Sequence, residues 1–213
     1  MSLTLYIDRF WISPYAFSCF VALEEKKIPF EVKEIGLDKK DHWDPAYRKS
    51  SLTGRVPALE HDGFWLTESN AIDDYLEDAF PPPQNPRLFP ADIREKARAR
   101  QLMAWVRSDL MPIREERATH TMFYGRAKDP LSEKGRAAAE TLLQAADLLI
   151  PEDRPHLFET WSIADADFAF MLMRLILNGH PVPPPIKAYA ESQWSRPSIQ
   201  KWVTHLRPAY VAY

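Results

Sequence analysis

The apolar positions of this chain change rhythm along its length. Leu3–Asp8 is an apolar, β-branched run that reads as a strand. Over residues 14–27 the spacing shifts to three and four, with Ala16, Phe20, Val21 and Leu23 as helical neighbours. Residues 30–35 alternate like a second strand. A polar, irregular stretch runs through residue 54. Residues 56–60 and Phe64–Thr67 then read as strands around His61-Asp62-Gly63, whose Asp-Gly step is a hairpin signal. Residues 69–80 close the series as a helix, with Ile72, Tyr75, Leu76 and Ala79 along one face. The order β-α-β-(irregular)-β-β-α predicts a mixed sheet with helices packed on it.

Proline then interrupts the pattern. "AFPPPQNPRLFP" (79–90) holds five prolines in twelve positions, and such a segment neither continues a helix nor joins a sheet interior. The expected division is a first domain over 1–82, a linker over 83–90 and a second domain over 91–213. Strand signal all but disappears after the linker. Residues 92–117 form a long helical pattern with a candidate kink at Pro112. Residues 132–149 and 162–178 predict further helices, the latter stopped by Gly179. "PVPPP" (181–185) breaks the chain before shorter helices. An α+β domain followed by an all-helical domain is the predicted architecture.

Composition narrows the function. With 213 residues, 46% of them apolar, the chain can bury a proper core. A net charge of -3, from 27 basic and 30 acidic side chains, argues against a nucleic-acid binder. The single cysteine, Cys19, excludes an intramolecular disulfide framework and fits a reducing compartment. The first residues lack the charged and apolar regions of a signal peptide, and no apolar run approaches the roughly 20 residues of a spanning helix. A soluble, cytoplasmic protein is expected, without membrane or nucleic-acid partners. None of the six histidines falls at i, i+4 to another, and no phosphate-binding glycine motif occurs. Neither a metal nor a nucleotide cofactor is expected.

Three short stretches carry chemistry. Ser13 stands before Pro14, the preferred start of a helix, and is first of all a cap. The same exposed helix start favours an anion, and a serine hydroxyl there can donate to a thiolate. The turn reads Ser13-Pro14-Tyr15-Ala16 with no cysteine, so a dithiol reductase is excluded and the thiolate would belong to a ligand. "GRVPAL" (54–59) is either an edge-strand proline or, with a cis bond, backbone turned outward toward an extended peptide. In "TESNAI" (67–72), Ser69 or Thr67 would cap the next helix, while Glu68 would complement an ammonium beside a helix start that takes a carboxylate. Together they describe a site for a thiol peptide with a free amino-acid end.

"SPYA", "GRVPAL" and "ESNAI", with "WSIADADF" (161–168), resemble the glutathione transferases over the whole chain, and "KARARQLMAWVRSDLMPIREER" (96–117) resembles an enterobacterial, serine-type branch of them. The resemblance implies a thioredoxin-like N-terminal domain, an all-α C-terminal domain forming part of the electrophile site, and a homodimer. It implies glutathione as cosubstrate, with no covalently bound cofactor, and a small electrophilic or peroxide partner. Ser13 would then activate the glutathione sulfur, Val56 before a cis Pro57 would pair with the cysteinyl unit, and Glu68 and Ser69 would bind the γ-glutamyl end. His42, Arg55 or Lys40 would meet the glycine carboxylate, with His42 preferred. Trp11, Arg107, Met111 and Tyr124 would line the second-substrate pocket. Cys19 is expected to be a buried core thiol. Ser162 and Asp165 form a capping box that serves folding rather than catalysis. Beside conjugation stand two alternatives, a glutathione-dependent peroxidase on the same site and a non-catalytic binding protein.

Overall fold

The computed structural model describes residues 2–213, and the chain divides into two compact units, Met1–Leu88 with Lys201–Tyr213 and Phe89–Gln200. The first unit is built on β1 (Leu3–Asp8), α1 (Pro14–Lys26), β2 (Glu31–Ile35), α2 (Pro45–Ser50), β3 (Ala58–His61), β4 (Phe64–Thr67) and α3 (Ser69–Ala79). Its four strands lie in the order β2-β1-β3-β4, with β1 parallel to β2 and the other pairs antiparallel. Every residue of β1 is buried, as suits an apolar strand covered on both faces. This is the thioredoxin-like arrangement expected.

The register places the functional segments. Asp8 pairs with Ile35, Tyr6 with Ala58, and Ala58 with Thr67. The ends of β1, β2 and β4 and the start of β3 therefore share one end of the sheet. The stretches 9–13, 36–44, 54–57 and 68–69 all leave the sheet there.

Three details differ from the sequence reading in this unit. The polar stretch after β2 is ordered, with a 3-10 turn at Asp41–Trp43 and the short helix α2, whose start Asp44 caps through the amide of Ala46. The strand expected from Val56 begins at Ala58, because cis Pro57 supplies no amide to a ladder. Residues 201–213, read as part of the second domain, group with the first unit.

The division between the units, at Leu88/Phe89, lies within the stretch 83–90 expected as a linker. Fully buried Lys26 donates to the carbonyls of Phe80 (2.8 Å) and Pro86 (2.9 Å) and pairs with Glu77 at 2.9 Å. Glu77 in turn accepts from the Leu88 amide at 2.8 Å. A buried ammonium is tolerated only when so partnered, and the partners tie residues 80–88 to α1 and α3.

The second unit is helical: α4 (Ile93–Ser108), α5 (Met111–Glu116), α6 (His120–Phe123), α7 (Glu133–Leu149), α8 (Ile163–Ile176), α9 (Pro184–Trp194) and α10 (Pro197–Val203), whose last residues belong to the first unit. The helix expected over 92–117 is two helices. Leu110 takes a left-handed φ of 58°, which ends α4, and Pro112 sits in the first turn of α5, where a missing amide costs nothing. Helix α8 is buried almost throughout and starts on the expected capping box: Asp165 accepts from the Ser162 amide at 2.9 Å. Among the described residues no helix is long and apolar enough to cross a membrane.

Candidate functional site

Ser13 is the N-cap of α1, with Pro14 in the first turn and its Oγ accepting from the Ala16 amide at 3.2 Å. The serine is half-buried, and its own proton is committed to no acceptor among the described residues. A hydroxyl has two lone pairs and one proton, so capping the helix leaves the donor available.

What fixes Ser13 is Asp8. This carboxylate is fully buried at the end of β1 and accepts from the Ile12 and Ser13 amides, each at 2.9 Å. Burial pushes the Asp8 carboxyl up from the ordinary range, while the two amides and the Arg207 charge pull against that. Between them Trp11 holds a φ of 52°, a left-handed conformation that costs a bulky residue of order 1 kcal/mol or more and persists only where the surroundings fix it. Arg207 supplies that restraint, donating to the Trp11 carbonyl from Nε (3.3 Å) and Nη2 (3.2 Å).

On the facing strand pair the Val56–Pro57 bond is cis, as the resemblance implied. Tyr47 of α2 donates from its hydroxyl to the Arg55 carbonyl at 2.7 Å and packs with Tyr6 and Trp65, which anchors the backbone leading into Val56. Gly54 has φ +63°, and a Cβ there would stand 3.8 Å from the His42 carbonyl, so the 3-10 turn and the Gly54-Arg55 corner are neighbours. His42 is half-buried and its Nδ1 is enclosed without a hydrogen-bond partner. Arg55 is exposed.

At α3 the expected cap is corrected. Ser69 is the first helical residue, and Glu68 holds the N-cap position at φ 71° without a side-chain cap bond. Its carboxylate is exposed and not spent on the helix, while Ser69 is buried. The Cys19 thiol, fully buried as expected, donates to the Ser69 carbonyl at 3.8 Å, and Ser18 donates to Asp73 at 3.1 Å. These contacts hold the start of α3 against α1.

Of the residues expected for a second substrate, Trp11 and Arg107 are already engaged. Trp11 is 5% exposed, its indole donates to Glu34 at 2.7 Å and its ring stacks on His205 at 3.6 Å, so its role is core packing rather than lining a pocket. Arg107 is not a free cation: it pairs with Asp167 at 2.5 Å. Met111 is 43% exposed and Tyr124 is half-buried at the end of α6. Asp8, Tyr47 and Arg207 were not foreseen as site residues. The available signal for Asp8 was an acid ending an apolar strand just before a Ser-Pro helix start.

Residues 9–84 match the family model for the glutathione S-transferase N-terminal domain and residues 92–207 that for its C-terminal domain. A solved glutathione transferase homologue from Burkholderia, with bound glutathione, is 44% identical over 95% of this chain and 97% of its own, with a TM-score of 0.80. A glutathione S-transferase structure from Rhodospirillum rubrum is 27% identical over 97% of this chain and 96% of its own, with a TM-score of 0.75. Maleylpyruvate isomerase from a Ralstonia species is 34% identical over 51% of this chain and 50% of its own. The chain spans about half the length of the first curated relatives it matches.

Proposed function

Because the chain belongs to the glutathione S-transferase family, we propose that it is a serine-type glutathione transferase, which activates the thiol of bound glutathione for attack on a small electrophile. The observation that carries this reading is the Ser13 hydroxyl: it caps α1 as an acceptor and keeps a proton to donate at a helix start. The Burkholderia homologue's bound glutathione supports the choice of thiol.

In this reading Ser13 is the catalytic residue. The backbone at Val56 and Pro57 pairs with the cysteinyl unit. Glu68 takes the γ-glutamyl ammonium, and Ser69 at the start of α3 takes its carboxylate. His42, with Arg55 beside it, meets the glycine carboxylate. Met111 and Tyr124 face the electrophile, and two copies of the chain pair as a homodimer.

The magnitudes are adequate. A free thiol ionises near pH 8.5, and lowering that by about two units needs roughly 2.7 kcal/mol of preferential thiolate stabilisation. One hydrogen bond to a charged acceptor contributes about 1.5–3 kcal/mol and the helix end about 0.3–1 kcal/mol. Glutathione brings the nucleophile, so no general base is required of the protein once the thiol is ionised.

The test is steady-state turnover of glutathione with an aryl halide and with an organic hydroperoxide, for wild type and Ser13→Ala. A loss of at least tenfold, with glutathione still bound, is the expected result, and the better substrate separates conjugation from peroxidase chemistry. Unchanged activity in Ser13→Ala would remove the serine from the mechanism. The Ralstonia relative, by its name a maleylpyruvate isomerase, favours a second reading, in which the chain isomerises a maleyl compound and glutathione is not consumed. Conversion of a maleyl substrate without net loss of thiol would identify it.

A further inference from the structure

The Trp11–Ile12 peptide is gripped at both ends by charged side chains of opposite sign. Its carbonyl accepts from Arg207 Nε and Nη2 at 3.3 and 3.2 Å, and its N–H donates to Asp8 Oδ2 at 2.9 Å. The next amide, that of Ser13, donates to the other Asp8 oxygen at 2.9 Å. Arg207 is itself held by three further carbonyls, Trp202 (2.7 Å), Val203 (2.9 Å) and His205 (3.0 Å). Tyr210 and Tyr213 of the same segment pack on Phe10, the residue before Trp11, at 5.4 and 5.8 Å between ring centroids.

We infer that Arg207 is a positioning residue for the thiolate site: it fixes the turn that presents Ser13 and offsets the Asp8 charge beneath it. This rests on the reading of Ser13 as the partner of the glutathione sulfur. Displacing a catalytic group by about 1 Å can cost a hundredfold in rate, so a turn held in a left-handed conformation at Trp11 needs such a restraint. The charge role follows from the neighbours. Arg9 is engaged by Asp38 in two bonds of 2.7 and 2.6 Å. Glu34 holds the Trp11 indole and stands 4.0 Å from His205, whose ring burial keeps below its ordinary ionisation range. Arg207 is then the cation that acts on the Asp8 carboxylate beneath the turn, and without it a thiolate at Ser13 meets more negative potential.

The experiment compares Arg207→Gln, Arg207→Lys and Ser13→Ala. Each is followed by the ultraviolet titration of bound glutathione, by kcat and KM with an aryl halide, and by amide exchange at Ile12 and Ser13. Arg207→Gln should raise the thiol pKa by about half a unit to one unit. It should lower kcat about five- to tenfold with the glutathione KM within about twofold, and speed exchange at both amides. Arg207→Lys keeps the charge but cannot span four carbonyls, so it should leave the thiol pKa near wild type while exchange still quickens. Wild-type thiol pKa and wild-type exchange in Arg207→Gln would overturn the inference even if Ser13→Ala is inactive. If Ser13→Ala keeps the wild-type thiol pKa, the serine reading fails by itself, and exchange in the Arg207 variants decides whether the turn depends on this side chain. Should Arg207→Gln not fold, unchanged exchange in Arg207→Lys overturns the positioning role.

Discussion

Ser13 and Ser132 begin two helices, α1 and α7, in the same way, yet only one of them has its anion within the chain. The hydroxyl of Ser132 accepts from the Gly135 amide at 3.0 Å and donates to Glu116 at 2.6 Å, while the Ser132 amide donates to the other Glu116 oxygen at 2.7 Å. Those bonds, the hydroxyl's first, hold the Glu116 carboxyl below its ordinary value. Ser13 has the same acceptor bond to the helix, but its amide is taken from behind by Asp8, and its hydroxyl donates to no group among the described residues. Ser132 with Glu116 shows within this chain what a capping serine does to an anion placed on it. Ser13 offers the same place to an anion from outside. A third serine start, Ser162, is closed altogether: it is fully buried, and its amide and hydroxyl both donate to Asp165. One local sequence signal therefore covers a closed, a paired and an open cap, and the position of the nearest carboxylate separates them.

The largest effect is expected at the closed start. Asp165 also accepts from the Leu157 amide and the Tyr189 hydroxyl, so Asp165→Ala strands several buried donors. It should cost about 3 kcal/mol or more in denaturant unfolding. At the open start, Ser13→Ala should lose at least tenfold in kcat/KM and only about 1 kcal/mol of stability. A stability loss as large as that of Asp165→Ala would mean that Ser13 is chiefly structural. At the paired start, Ser132→Ala should cost about 1 kcal/mol and leave the aryl-halide activity unchanged. The smallest effect is on pH dependence. Because the Ser132 bonds hold the folded Glu116 carboxyl below its ordinary range, its contribution is fully present above that range and is lost as pH falls through the folded value. Ser132→Ala should move the Glu116 carboxyl up in a side-chain NMR titration, toward but not reaching the ordinary value, since the Ser132 amide bond stays.

The sheet and the major helices were readable because their apolar spacing is local, as in Leu3–Asp8 and Phe64–Thr67. The start of α1 at Ser13 was readable for the same reason, since a helix start is announced within a few residues. What escaped depends on backbone state or on distant partners. Leu110 breaks the long helix by a left-handed φ that no nearby glycine signals, and Glu68 takes the cap position that Ser69 or Thr67 would fill by composition. Arg207 reaches Trp11 across 196 positions, and Tyr47 looks like one more aromatic until its hydroxyl is seen on the Arg55 carbonyl. Trp11 was misplaced because a tryptophan near a site suggests a pocket, whereas His205 and Trp202 enclose this one.

The return of Lys201–Tyr213 to the first unit bears on the order in which the protein can mature during synthesis. The strands, Ser13 and Glu68 leave the ribosome early, and the whole helical unit follows before Arg207 is made. A nascent chain can therefore hold a formed sheet and a capped α1 while the Trp11 carbonyl still lacks its guanidinium. The Trp11 turn therefore receives its last restraint only when translation has passed residue 207.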